Sequence, residues 1–127
     1  MNAYEIPNLR FSLPAGEAVP RRRFVTVDST GEGVLATAGA GAIGVSMNEA
    51  ADGEVLEVAD GIVMVEASDA IAAGADVSAA TGGKAVTATA ATQSGTTPFA
   101  VTAGSIILGK AITAATAAGQ FIAVKIG

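Results

Sequence analysis

The most constraining feature of the sequence is a succession of short β-prone runs that begins near residue 22 and continues to the C-terminus. Each run is three to seven residues long, and Gly, Asp and Asn separate the runs. This spacing is typical of β-sandwiches and barrels, and no window of about 11 residues has apolar side chains at helical spacing. We therefore predict an all-β fold, a small antiparallel β-barrel or sandwich. The predicted strands are residues 24–27, 34–37, 43–46, 55–58, 62–66, 77–79, 84–88, 99–102, 106–112 and 121–126.

Two of the separators predict hairpins. Residues 59–61 join two Val-rich runs and residues 81–83 join two alternating runs, and both separators supply the glycine that a tight turn with positive φ requires. At most one short helical turn is expected, at residues 68–73, where Ser68 would cap the turn and Gly74 would end it.

The N-terminal segment predicts an extended arm at residues 1–20, followed by a single β-barrel domain at residues 21–127. The arm contains three prolines and shows neither helical periodicity nor a hairpin turn. Its side chains are too apolar for a disordered tail, so we expect them to dock on a partner, a neighbouring subunit or the chain's own barrel. The predicted partner-binding residues are Tyr4, Ile6, Leu9, Phe11 and Leu13 of the arm, and Arg21, Arg22 and Arg23 behind it.

Charge is sorted along the chain. Residues 24–76 contain ten acidic residues and no basic one, whereas residues 77–127 contain three lysines and no acidic residue. Unlike segments should therefore pair, within one subunit or between subunits, for example residues 24–76 of one subunit with residues 21–23 of another. Much of the apolar content is alanine, so the core is thin, and a homo-oligomer or a partner surface is expected. The acidic balance and the few aromatics do not fit nucleic-acid binding, and no segment suits a membrane.

Catalytic, cofactor and metal sites are not expected. The sequence has no histidine and no cysteine, which removes imidazole bases, thiolate nucleophiles and the usual zinc ligands. Residues 39–44 match the dinucleotide-binding fingerprint, but only eight residues separate Gly44 from Gly53, too few for the crossover helix. A dinucleotide-binding enzyme is therefore the least favoured class.

Four carboxylates are grouped in and around the predicted hairpin at residues 59–61. Their spacing does not fit an EF-hand loop, and the chain lacks the aromatics of a sugar cleft. We interpret them as a charged hairpin edge that discourages strand addition. These residues are Glu54, Glu57, Asp60 and Glu66.

The sequence also contains a weak internal repeat. Residues 43–58 and residues 108–124 both predict a strand, an Ala-rich turn and a second strand. We interpret them as a repeated hairpin of the kind that a duplication produces, and not as a solenoid.

Residues 43–61, 69–77 and 108–126, in that order, resemble the small capsid cement, or head decoration, proteins of tailed bacteriophages. The resemblance covers roughly residues 24–127. It lies in a Gly-Val strand at Gly44, an Ala-x-x-Ala-Gly-x-x-Val turn from Ala70, a Gly-Gly-Lys hairpin at Gly82 and a closing Leu-Gly-x-Ala at Leu108. It implies a structural virion protein without catalysis, made in the host cytoplasm, which binds the outer surface of the capsid and cements neighbouring major capsid subunits.

The implied partners are the major capsid protein and further copies of the chain, with a trimer favoured and a dimer possible. A β-rich surface or tail adhesin module is the alternative function, because it shares the composition. The sequence leaves open the oligomeric order, the symmetry axis and the surface on which the arm docks.

Overall fold

The computed structural model describes residue 3 and residues 5–90, 92–94, 100–102 and 104–126. These residues form an almost entirely β structure, so the all-β prediction is confirmed. The strands are β1 (Ile6–Pro14), β2 (Phe24–Val27), β3 (Gly33–Leu35), β4 (Gly44–Ser46), β5 (Val55–Glu66), β6 (Asp76–Ala79), β7 (Ala85–Thr87), β8 (Thr92–Ser94), β9 (Ala100–Thr102), β10 (Gly109–Ala111) and β11 (Phe121–Ile126).

Nine of the strands form one antiparallel sheet, in the order β3-β2-β4-β5-β11-β10-β6-β7, and β1 also pairs with β5. The sheet curls into a half-barrel. Two isolated bridges close the curled sheet: Ala15, the residue after β1, bridges to Gly33 of β3, and Ala67, the residue after β5, bridges to Ala85 of β7. Strands β8 and β9 form a separate two-stranded sheet.

The prediction of a hairpin at residues 59–61 is wrong. These residues lie inside β5, the central strand of the fold. Val55–Glu66 is one continuous strand of 12 residues. Gly61 has a φ of 94°, but it serves a close strand contact, since a Cβ there would lie 2.6 Å from the backbone N of Asn8. The β1 register shifts at this point, with an extra residue between Pro7 and Arg10, which makes a β-bulge. β1 pairs with residues 55–62 of β5, and β4 and β11 pair with residues 58–59 and 62–66, so the chain continues through Gly61 as one strand without turning.

The predicted hairpin at residues 81–83 is present. Its residues form a single 3-10 turn, Thr81–Gly83, between the antiparallel strands β6 and β7. The helical turn predicted at residues 68–73 does not form. The Ser68 hydroxyl instead donates to the carbonyl of Ala85 at 3.1 Å, and Ile71 is held by a two-way backbone bridge to Ala115. These tertiary hydrogen bonds outweigh the weak helix signal of a single turn.

Two hydrophobic clusters fill the curled sheet, and β5 contributes to both. Leu56 and Val58 lie in the smaller cluster, whereas Val63 and Val65 lie in the larger one. Even-numbered side chains are therefore buried in the first half of β5 and odd-numbered ones in the second half. Since side chains alternate along a strand, the second half of β5 has an outer face formed by even-numbered residues.

The sheet is built from a repeated unit that is larger than the predicted repeated hairpin. Strands β1, β2, β3, β4 and β5 pair among themselves in the same way as β5, β6, β7, β10 and β11. The loop hydrogen bonds repeat as well: Val19 N donates to Ala50 O at 2.8 Å, and Ile71 N donates to Ala115 O at 2.9 Å. The second half of β5 thus begins the second unit.

The two units differ by an insertion. Bridged Gly33 of the first unit matches bridged Ala85 of the second, and Gly44 at the start of β4 matches Gly109 at the start of β10. In the first unit Gly33 and Gly44 are 11 residues apart, whereas in the second unit Ala85 and Gly109 are 24 residues apart. The extra residues contain the β8–β9 hairpin.

Candidate functional site

Most of the predicted arm is part of the chain's own sheet. Ile6–Pro14 is strand β1, paired with β5. Phe11 and Leu13 pack against the smaller hydrophobic cluster, whereas Ile6 and Leu9 are 61% and 55% exposed. Tyr4 lies outside the described residues. Among the described arm residues predicted to bind a partner, Ile6 and Leu9 are the ones with an open surface.

Arg22 is a structural residue that joins the N-terminal segment to the sheet. It is buried and forms an ion pair with Glu5, and its backbone φ of 66° lies in the left-handed region that non-glycine residues seldom adopt. The surrounding sheet fixes this conformation, because Arg22 N donates to Ser46 O and Arg22 O accepts from Glu66 N. Burial lowers the pKa of the Arg22 guanidinium from its ordinary value.

Arg23 is also held inside the molecule. It lies 3.7 Å from one carboxylate oxygen of Glu66, while Lys84 lies 3.0 Å from the other. A second guanidinium nitrogen of Arg23 donates to the carbonyl of Gly82 at 3.0 Å. Because Arg23 precedes β2, Glu66 ends β5 and Lys84 precedes β7, this cluster ties three parts of the fold together. The unlike charged segments therefore pair here within one chain.

Arg21 is the member of the arginine triplet that faces solvent. Among the described residues it has no acidic partner within ion-pair distance. It lines a pocket of about 250 Å³ together with Arg22, Met64 and Phe121. The pocket brings a free positive charge next to apolar side chains.

The pocket opens on the outer face of the second half of β5. Directly paired residues of adjacent strands project from the same face. Ile62 pairs with Ile6 on one side and with Lys125 on the other, and Phe121, which is 49% exposed, pairs with Glu66. We name this surface the basic–apolar face. It consists of Ile6, Ile62, Met64 and Phe121, bordered by Arg21, Lys125 and Glu66, whose carboxylate is paired with Arg23 and Lys84.

The opposite part of the molecule carries a concentration of carboxylates, which we name the acidic end. The backbone of Ala15 bonds to Gly53 and Glu54, Gly16 packs against Asp28 and Glu32, and Glu17 accepts from Leu35 N. Among the described residues, none of these carboxylates is in an ion pair. The acidic end comprises Glu17, Asp28, Glu32, Glu49, Asp52 and Glu54.

One carboxylate of the acidic end is tied into a turn. Asp28 accepts hydrogen bonds from the hydroxyl of Thr30 at 2.6 Å and from the backbone N of Glu32 at 3.0 Å. These bonds stabilise the charged form, so they lower the pKa of Asp28 from its ordinary value.

The carboxylates around residues 59–61 do not form the charged hairpin edge that the sequence predicts. Glu57 forms an ion pair with Arg10 at 2.7 Å, and Asp60 accepts from the backbone N of Leu9 at 3.0 Å, across the bulge. Glu57, Asp60 and Glu66 are spread along β5 and contact other parts of the fold, whereas Glu54 precedes the strand and belongs to the acidic end. In the described part of the chain, no three Asp or Glu residues are placed to hold a metal ion. Residues 39–44 form a loop that enters β4 directly, without the helix of a dinucleotide site.

Four residues of the basic–apolar face are not among the partner-binding residues predicted from the sequence, namely Ile62, Met64, Phe121 and Lys125. Ile62 and Met64 fall in the strand predicted at residues 62–66, the second strand of the hairpin predicted at residues 59–61. The sequence does contain a signal, namely the alternation in residues 62–66. Val63 and Val65, which are buried, alternate with the larger or charged residues Ile62, Met64 and Glu66.

Comparisons with known proteins agree with the fold. A family model described as phage cement protein matches residues 5–126. The crystal structure of the N base of head fiber gp8.5 in bacteriophage phi29 has a TM-score of 0.71 and 19% sequence identity to the chain, covering 94% of this chain and 93% of that one. No curated protein matches. No helix in the described residues is long and apolar enough to cross a membrane.

Proposed function

The chain belongs to the phage cement protein family, and from this premise we propose that it binds the outer surface of a phage capsid and cements neighbouring major capsid subunits. A structural, capsid-associated role follows from the family itself. The finer proposal is that the protein acts without catalysis or cofactor, as a homo-oligomer on the capsid exterior. A trimer is favoured and a dimer is possible.

We assign shell binding to the basic–apolar face. The observation that carries this assignment is that Phe121 lines one pocket with Arg21, a cation that has no partner among the described residues, while Ile6 is exposed on the same face. Exposed apolar residues grouped within a polar rim are typical of protein interaction sites. The apolar residues would supply most of the affinity, and Arg21 and Lys125 would orient the contact.

The distribution of charge supports one orientation on the shell. Val55, at the start of β5, lies beside the acidic end, whereas Met64 lies nine residues further on, at most about 30 Å along the strand. Hydrated carboxylates gain little from burial and cost free energy when they lose water. The acidic end therefore points away from the shell when the basic–apolar face is bound.

Cementing follows from the thermodynamic linkage between binding of the protein and assembly of the shell. A ligand that binds only the assembled shell stabilises it by an amount that grows with its concentration and affinity. A homo-oligomer would place several basic–apolar faces on one shell, so modest affinity per face would give tight attachment.

Co-sedimentation with undecorated capsids tests the assignment. We expect Ile6→Glu to weaken binding at least about tenfold, because it would place a charge in an apolar contact. Arg21→Glu should weaken binding too, and more strongly at low salt, because an exposed charge acts over the screening length of the solution.

Val55→Glu is the matched control. Val55 is 67% exposed and lies outside the basic–apolar face, so capsid binding of this variant should equal that of the unmodified protein. Equal loss of binding in Ile6→Glu and Val55→Glu would contradict the assignment. Decorated shells should also resist heat better than undecorated shells, and an unchanged shell would contradict the cementing role.

A further inference from the structure

A second exposed apolar surface lies where the loops of the two repeated units meet. Ile106 and Ile107 are 54% and 58% exposed. The backbone N of Ile106 donates to the carbonyl of Gly39 at 2.9 Å, which joins residues 104–108 to the loop at residues 37–43. Neither stretch contains a charged residue. We name residues 37–43 and 104–108 the neutral surface.

The repeated unit shows that the fold does not require these two isoleucines. Leu108 N donates to Val77 O at 2.8 Å, as Ile43 N donates to Val25 O at 2.8 Å, so Leu108 is equivalent to Ile43. Ile106 and Ile107 are then equivalent to Gly41 and Ala42 of the first unit. The second unit therefore carries exposed apolar side chains where the first unit forms the same strand connections without them.

A pocket of about 520 Å³ adjoins this surface, and its lining includes Gly39, Ser105 and Ser78. The Ser78 hydroxyl is buried and has no hydrogen-bond partner among the described residues. A buried hydroxyl without a partner is uncommon in folded proteins. The lining of the pocket therefore includes a residue with an unsatisfied hydroxyl.

We propose that the neutral surface is the contact between copies of this chain, a proposal that rests on the proposed homo-oligomer and names the surface that builds it. Each copy carries a net charge of −5, so contacts through the acidic end would bring like charges together. A contact through residues without charge avoids that repulsion. It also leaves the basic–apolar face free for the shell. Depletion of charged residues is characteristic of the centre of protein interfaces.

The sequence favours an interface in which an acidic segment of one subunit pairs with a basic segment of another. The neutral surface is a different interface. Arg22 and Arg23 are paired within the chain with Glu5 and Glu66. An interface through residues 21–23 would have Arg21 as its single exposed arginine.

The test is sedimentation velocity on the full chain over a range of concentrations up to about 0.1 mM. The variant is the double substitution Ile106→Gly and Ile107→Ala, which installs the residues of the first unit and so keeps the loop compatible with the fold. We expect its self-association to weaken more than about tenfold, with an unchanged circular dichroism spectrum. Ile6→Ala, which removes an equally exposed isoleucine from the other surface, should associate like the unmodified protein.

Salt dependence separates the neutral surface from a charge-paired interface. Raising NaCl from about 0.05 M to about 1 M screens repulsion between acidic copies, so association should hold or strengthen. Weaker association at high salt would overturn the proposal.

A monomeric unmodified protein at all concentrations, or dissociation caused by Ile6→Ala and not by the double variant, would overturn it too. If the double variant lost capsid binding while the unmodified protein was monomeric, the neutral surface would be a shell contact instead. Failure of the shell assignment has a different signature, namely full capsid binding by Ile6→Glu.

Discussion

Replacing Gly61 with alanine should detach the start of β1 from the sheet. Gly61 has a φ of 94°, and an added Cβ would lie 2.6 Å from the backbone N of Asn8 and 2.9 Å from the carbonyl O of Ile6. Both contacts are to backbone, which cannot rotate away as a side chain can. The strand must therefore shift or separate to admit one methyl group.

The size of the effect follows from two separate costs. The left-handed backbone costs alanine about 1–2 kcal/mol relative to glycine. Forcing a methyl group into a closely packed contact costs about 1–3 kcal/mol more. Gly53 provides the control, because its φ is 85° but an added Cβ there meets nothing within 4 Å. Gly53→Ala should therefore lower the free energy of unfolding by about 1–2 kcal/mol, and Gly61→Ala by about 2–5 kcal/mol.

Urea unfolding of the two variants measures the difference, and hydrogen exchange locates it. In Gly61→Ala the amides at the start of β1 should exchange faster than in Gly53→Ala, because local opening relieves the contact without unfolding the sheet. Equal destabilisation by the two substitutions, with equal protection of the β1 amides, would show that β1 does not lie against β5 as described.

Two further predictions concern charge. Glu66→Gln should lower the free energy of unfolding by about 1 kcal/mol, and by less at high salt, because it leaves Arg23 and Lys84 together without a carboxylate. Asp76→Asn, which breaks an exposed ion pair with Lys110, should lower it by less than about 0.5 kcal/mol. A larger loss of stability in Asp76→Asn than in Glu66→Gln, measured by urea unfolding, would contradict the role of the cluster. Asp28 should titrate below an ordinary aspartate by carboxyl NMR, because hydrogen bonds lower its pKa. Its contribution to stability is therefore present above the unfolded-state pKa and is lost as the pH falls through the folded-state pKa. Asp28→Asn should flatten this acid limb of the stability profile, and an unchanged limb would contradict the reasoning.

Local patterns were sufficient to predict several strands. The predicted bounds of β2 and β11 coincide with the structure, because both are compact apolar runs that lie between turn residues. The prediction of a turn at residues 81–83 was also correct, because two adjacent glycines with positive φ are typical of a tight turn. The fold class depends on such local features, so the sequence alone was enough to predict it.

The error at Gly61 shows where local patterns fail. A glycine between two Val-rich runs has the same appearance whether it forms a turn or admits a neighbouring strand, and only the position of Asn8 on β1 decides between them. The roles of Arg22 and Arg23 were hidden for the same reason, because their partners Glu5 and Glu66 are distant in sequence. Of the three consecutive arginines, Arg22 and Arg23 form ion pairs within the chain, and Arg21 is exposed.

The most direct test of the account is a three-dimensional reconstruction of a capsid decorated with the protein. We predict that Ile6, Phe121 and Arg21 contact the shell, that each copy or oligomer bridges two capsid subunits, and that the acidic end faces solvent. A reconstruction in which the acidic end lies against the shell while Ile6 and Phe121 face solvent would contradict the central claim.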